Sequence, residues 1–270
     1  MPVDASKGQL RPSGHDEELN QVFQSSKKIL MNFAGQNKQG ELILDIIVRT
    51  SITTLASFPG ENELHELTCR KLLVALVRWR HVCVHLVALE SWNELARAFT
   101  NERTLFSINA RLQRALAETL VCAASSFKDQ ESSNQYVRDL MGPMTIYLVD
   151  ISTRNDAKVV SQQADAMYMV SCLLERLRGA SRATQPRTQK SIFEMGCAVM
   201  SSLLTLLELY KNQSTVVYLI LKFVVDFVEG EVAFLNAKET SILIDFCLQL
   251  LQVYSSHNMD LTLSVKEPPE

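Results

Sequence analysis

Two histidines in "RWRHVCVHL", His81 and His85, stand four residues apart, a spacing that puts both imidazoles on one helix face, where they could share a zinc ion. A metalloprotease helix of that kind places its general-base glutamate directly after the first histidine, and here Val82 occupies that position. The other histidines, His15, His65 and His257, are scattered, and spacing identifies no third ligand. The pair is therefore read as structural or surface groups, and no metal-ligating residue is assigned. A metal-dependent helical enzyme built on His81 and His85 is the reading that loss of bound zinc in a His81→Ala variant would support. Nucleophilic chemistry has no local support either. Cys69, Cys83, Cys122, Cys172, Cys197 and Cys247 lie singly within apolar runs and form no CxxC pair, a pattern of reduced, buried thiols in a nuclear or cytosolic protein. The glycines form no phosphate-cradling loop, no dinucleotide fingerprint and no GxSxG elbow. No catalytic or cofactor-binding residue is assigned, and the chain is expected not to be an enzyme.

Binding chemistry has one candidate. In "RLRGASRATQPRTQK", Arg176, Arg178, Arg182, Arg187 and Lys190 occur with no acidic residue among them, as in a loop that docks an acidic partner or a phosphate backbone. Aromatic residues for base stacking are absent from it, so the segment is read as a solvated loop between helices. Trp79 and Trp92, and the Met and Cys residues of "DAMYMVSCLLERL", are read as packing residues. A net charge of −3 and a pI near 6.0 supply no whole-chain field for nucleic acid or an anionic membrane, and neither is expected as a partner. The N-terminal "MPVDASKGQLRPSGHDEEL" shows no apolar core of a secretory signal.

The elements that carry these residues read as helices. Between His15 and Glu267 the only prolines are Pro59, Pro143 and Pro186, too few turn signals for a sandwich or barrel. In "SINARLQRALAETLVCAAS" the residues Ile108, Leu112, Leu116, Leu120 and Ala123 recur at helical spacing, with Arg111, Arg114 and Glu118 opposite. "GELILDIIVRTSITTLASFPG" aligns Glu41, Asp45, Arg49 and Thr53 and closes on Pro59-Gly60. Ser91 with Glu94, and Asn236 with Glu239, have capping-box spacing. About nine or ten helices are expected, the long ones running about 15 to 25 residues.

The apolar run "STVVYLILKFVVDFVEG" decides the architecture. Its β-branched and aromatic residues favour a strand by propensity. Lys211, Thr215, Tyr218, Lys222, Asp226 and Glu229 nevertheless step by three and four, a stripe that follows a helix and that a period of two would split. The uninterrupted apolar stretch before Lys222 is shorter than the roughly 20 residues of a membrane span, and no membrane insertion is expected. A helix apolar around most of its circumference, with Lys222 and Asp226 on a narrow outer edge, belongs between other helices. The next segment, "NAKETSILIDFCLQLLQVY", has a similarly thin stripe in Ser241, Asp245, Gln249 and Gln252. Stacked antiparallel helix pairs supply such an environment. The expected fold is all-α, a HEAT/armadillo-type solenoid over 16–258, with disordered tails at 1–15 and 259–270. Segments near 40–80, 108–151 and 189–229 could each hold one pair at the period of roughly 40 to 47 residues typical of such units. A compact helical bundle is the structural alternative.

Residues 210–258, "YKNQSTVVYLILKFVVDFVEGEVAFLNAKETSILIDFCLQLLQVYSSHN", closely resemble helices of the importin-β-like karyopherins, and 111–144, "RLQRALAETLVCAASSFKDQESSNQYVRDLMGPM", resemble an upstream helix pair of the same family. The resemblance implies part of a nuclear export receptor that carries protein cargo from nucleus to cytoplasm when the GTP-bound form of the small GTPase Ran is also bound. It further implies nucleoporin contacts, passage through the nuclear pore between nucleus and cytoplasm, and no catalytic centre or cofactor. Family members are several times longer, and their Ran-binding N-terminal region has no counterpart here, so the chain reads as an internal or C-terminal-half piece. The resemblance assigns no Ran or cargo contact to an individual residue. A generic helical scaffold unrelated to transport is the alternative reading.

Overall fold

The computed structural model describes residues 37–100 and 108–263, with side chains of the last helix described through 256. The expected tail 1–15 and the end of the other, 264–270, lie outside the described residues. Among the described residues every regular element is a helix. The chain divides into two compact units, Met1–Leu44 and Asp45–Glu270. The described part of the first is the opening turns of α1 (Asn37–Ser57), and all later elements belong to the second. They are α2 (Asn62–Glu66), which passes through a π-helical stretch (Leu67–Leu72) into α3 (Leu73–Val77), then α4 (Arg80–Leu86), α5 (Glu90–Thr100), α6 (Ala110–Ala124) and α7 (Gln130–Thr153). After these come α8 (Ala157–Val160), α9 (Ala164–Arg182), α10 (Gln189–Leu209), α11 (Ser214–Glu231) and α12 (Ala237–Leu263).

The long helices of the second unit pack on their second neighbours. α9 lies against α6 on one side and α11 on the other, while α10 lies against α7 and also touches α11 and α12. Meeting pairs give the directions. Gln113 meets Arg176, Ala117 meets Gly179 and Glu118 meets Arg182, so α6 and α9 run parallel. Arg178 meets Asp226 and Ser181 meets Gly230, so α9 and α11 do too. Asn134 with Ser191, and Arg138 with Glu194, set α7 parallel to α10. Parallel neighbours require the chain to travel back between them, which α7 does between α6 and α9, and α10 between α9 and α11.

Local chemistry accounts for several boundaries. Asn109 caps α6 by accepting from the Arg111 amide at 2.9 Å, and Asp129 caps α7 by accepting from Ser132 N at 2.7 Å. α1 ends before Pro59-Gly60, where Gly60 takes φ +91°, a conformation that suits glycine. The capping box at Asn236 and Glu239 is present: Asn236 Oδ1 accepts from Glu239 N, and Glu239 Oε2 accepts from Asn236 N, both at 3.0 Å. Replacing Asn236 by alanine is expected to cost about 1 kcal/mol, read as faster amide exchange in the first turn of α12. The box expected at Ser91 and Glu94 is absent. The Asn93 amide already donates to Leu89 O at 3.2 Å, so α5 starts two residues earlier, at Glu90, and Ser91 is buried inside its first turn. Pro143 does not end its helix either. α7 runs through it, and the Thr145 hydroxyl donates to Gly142 O at 2.8 Å beside the interruption.

Two apolar surfaces bear on the architecture. By length and composition α10 could cross a membrane, with a mean hydropathy of 1.6, yet half of that stretch is buried within the protein. α12 buries Leu243, Phe246 and Leu250 and leaves Ile244, Leu248 and Leu251 exposed along another side.

Candidate functional site

The basic segment singled out by sequence is not a loop. Arg176, Arg178 and Arg182 belong to α9, and Lys190 to α10; only Arg187 lies in the connection between them. Arg176 and Arg178 are only 1% and 5% exposed, the opposite of a solvated segment. Their burial has a chemical reason in the facing helices. Arg178 Nε donates to Asp226 Oδ2 at 2.7 Å, its Nη1 donates to Glu175 Oε2 at 3.1 Å, and Arg114 Nη1 donates to the same Glu175 oxygen at 3.3 Å. The result is a ladder of alternating charge, Arg114, Glu175, Arg178, Asp226, spanning α6, α9 and α11 with no net charge. Burying these groups costs desolvation, which the alternation and the direct hydrogen bonds offset.

Asp226 is thereby corrected as well. The stripe that identifies α11 as a helix does not mark an outer edge there: Asp226 is buried and faces α9, whereas Tyr218 and Val225 are exposed. The expectation of a helix enclosed by others holds for α11, which buries Val216, Leu219, Ile220, Phe223, Val224 and Phe227.

Arg176 forms a second buried centre. Its Nε donates to Gln113 Oε1 at 2.7 Å, its Nη1 donates to Phe99 O at 2.6 Å, and the guanidinium lies 4.4 Å from the Phe99 ring centroid. Gln113 in turn donates to Ile108 O at 2.7 Å and to Cys172 Sγ at 3.2 Å. Burial raises the Cys172 thiol above its ordinary value, which disfavours a reactive thiolate. Small residues allow these approaches. A Cβ on Gly179 would lie 2.2 Å from Arg114 O, one on Gly230 2.4 Å from Ser181 O, and one on Gly196 2.1 Å from the Phe227 ring.

Arg187 turns towards α6. Its Nη1 donates to Phe127 O at 2.5 Å and to Ser125 O at 3.4 Å, placing a cation where that helix ends in unsatisfied carbonyls. Beside it runs an open groove of about 570 Å³, bordered by Val74, Val77, Arg78, Arg80, Cys122 and Pro186 among others.

The remaining candidates stay apart. His81 is exposed and His85 half-buried on the short α4, and among the described residues no group of three His, Cys, Asp or Glu side chains could hold a metal ion. Trp92 is fully buried and its Nε1 donates to the Tyr136 hydroxyl at 3.1 Å, linking α5 to α7; Trp79 is half-buried at the start of α4. Cys69 and Cys83 are buried like Cys172, and Cys122, Cys197 and Cys247 are partly buried.

What these residues do together is positional: they hold parallel helices at a defined register. Sequence reading missed the ladder because its partners come from other helices, although two signals were there. Glu175 stands three residues before Arg178, and the small residues Gly179, Ala180, Ser181 and Ala183 surround the arginines as close helix contacts require. No protein-family model matches the chain.

Proposed function

We propose that this chain is part of a nuclear export receptor of the importin-β-like class, of the exportin-4 kind, which carries protein cargo from nucleus to cytoplasm under control of Ran-GTP. The observation that carries the proposal is the packing of alternate long helices as parallel neighbours, α6 on α9 on α11 and α7 on α10. HEAT-type arrays stack in this way, because each helix pair packs on the pairs before and after it. Hydrogen-bonded partners on stacked helices are 48 to 63 residues apart, from Arg178 with Asp226 to Gln113 with Arg176, somewhat longer than the usual HEAT unit. The resemblance of residues 210–258 to exportin-4 supplies the transport reading. In such a receptor, cargo and Ran-GTP bind with mutual coupling, each raising the affinity for the other. Nucleoporin contacts and shuttling between nucleus and cytoplasm follow from the same proposal.

The ladder fits this role physically. An extended array changes curvature by small rotations between neighbouring helices, and charged pairs between α6, α9 and α11 keep those rotations in register. The test is affinity capture on the chain, with Ran held in its GTP or GDP form. Capture of the same proteins many-fold more strongly with Ran-GTP is the expected result. Capture that ignores the nucleotide would overturn the transport proposal and favour a scaffold.

A further inference from the structure

Glu231 is the last residue of α11, and its side chain is fully buried where α9, α10 and α11 meet. Gly230 permits the approach, since a Cβ there would come within 2.4 Å of Ser181 O and 3.0 Å of Thr184 Oγ1. Glu231 Oε2 accepts from Gln189 Nε2 at 2.9 Å, and Oε1 lies 3.2 Å from Thr184 Oγ1. The Thr184 hydroxyl has one hydrogen and two neighbours able to take it, Ser181 O at 2.7 Å and Glu231 Oε1 at 3.2 Å. A hydroxyl donating to an ionised carboxylate contracts to about 2.5–2.7 Å, so the shorter contact marks the carbonyl as the recipient. The longer contact then needs a hydrogen of its own, and the carboxyl group is the group placed to supply it.

We infer that Glu231 is held as a neutral carboxylic acid that donates to Thr184 Oγ1, which makes the joint of α9, α10 and α11 a proton-binding site. Closing the joint takes one proton from solvent onto Oε1, and opening it returns that proton.

The surroundings agree. A carboxylate in the last turn of a helix faces the negative end of the helix dipole. Among the described residues no cation lies within ion-pair distance of Glu231. On α9, Arg178 is engaged by Asp226 and Glu175, and Arg182 pairs with Glu118. In the connection, Arg187 is turned to the carbonyls of Ser125 and Phe127. On α10, Lys190 is exposed, Glu194 pairs with Arg138, and the Cys197 thiol is raised by burial and then by Glu231, Glu239 and Glu194. On α12, Lys238 is exposed and Glu239 adds a like charge facing Glu231. On α11 itself, Glu229 points to solvent. Burial, with the Glu239 charge as a lesser cause, pushes the Glu231 carboxyl from its ordinary 4.5 up to about 7, against the opposing pull of Gln189 and Thr184.

The sign follows by linkage. With the folded value above the unfolded one, the folded chain holds the extra proton between about 4.5 and 7. The stabilisation is complete below that window and is lost as pH rises through it. Glutamine has the shape of the neutral acid and cannot ionise. The experiment compares urea denaturation of the parent chain and Glu231→Gln from pH 5 to pH 8, alongside a ¹³C titration of the Glu231 carboxyl. The unfolding equilibrium constant of the parent should rise relative to that of the Gln variant across this range by about a hundredfold, the magnitude of two pK units, with a carboxyl midpoint near 7. A carboxyl that titrates below 5, or a parent chain that gains stability relative to Glu231→Gln as pH rises, would overturn the inference. The carboxyl titration reads the proton directly, so it decides even if the variant folds poorly.

Discussion

Replacing Asp226 by alanine is expected to destabilise the chain by about 3–5 kcal/mol, the range found when one partner of a buried ion pair is removed. The Arg178 side chain is 7% exposed and its Nε lies 2.7 Å from Asp226 Oδ2. Without the carboxylate, Arg178 keeps only Glu175, whose Oε2 is already shared with Arg114, and the ladder carries an uncompensated buried positive charge. Urea denaturation of the variant measures the loss. A paired replacement, Arg178→Met with Asp226→Leu, is expected to recover most of it, because an apolar pair of similar volume incurs neither the desolvation cost nor the charge imbalance. A loss below about 1 kcal/mol for Asp226→Ala would place the pair among those that contribute as little as surface salt bridges.

Gly179→Ala is the second large effect, expected at about 3 kcal/mol, the upper end of the usual cost of overpacking. The new Cβ would lie 2.2 Å from Arg114 O, 2.9 Å from Ala117 Cβ and 3.0 Å from Glu118 N. Two of these three atoms are backbone, so no side chain can swing away, and α6 and α9 must separate or tilt. Separation would also lengthen the Arg114–Glu175 contact, now 3.3 Å, and the Arg176–Gln113 bond, now 2.7 Å. The matching control is Gly142→Ala in α7, where the added Cβ meets nothing within 4 Å from any other helix. That substitution should change stability by less than about 1 kcal/mol, because the usual gain of alanine over glycine in a helix is opposed by the Pro143 ring, which disfavours helical backbone at a preceding residue with a Cβ. A large loss at Gly179 beside a small change at Gly142, measured by thermal or urea unfolding, would separate contact between helices from effects within one helix.

Both predictions concern positions whose importance cannot be read from local spacing. Arg176 and Arg178 look solvated in "RLRGASRATQPRTQK" because the segment contains no acid, and the chain supplies acids and acceptors from elsewhere. Gln113 lies 63 residues before Arg176, and Asp226 lies 48 residues after Arg178. The capping boxes show the same division within one motif. Asn236 and Glu239 form theirs because the chain begins a helix there, whereas Ser91 and Glu94 do not, because the preceding Leu89 carbonyl already accepts the first helical bond.

The sequence by itself determined that the described residues are helical and where several long helices run, though not that α9 continues through Arg182. Side-chain period is a property of the local backbone: the three- and four-residue steps in "STVVYLILKFVVDFVEG" or "SINARLQRALAETLVCAAS" fit only one regular structure. It also determined where polar side chains lie around each helix, but not what they face. An angular position becomes a core, a rim or an ion pair only when another helix docks, and docking is set by shape and charge tens of residues away. Tertiary structure alone decided that Asp226 is a buried partner, that Gly179 and Gly230 are helix contacts, and that Glu231 closes a joint between three helices. The physical reason is the same in each case. Periodicity is local, whereas desolvation, ion pairing and close packing depend on the neighbour that removes the water.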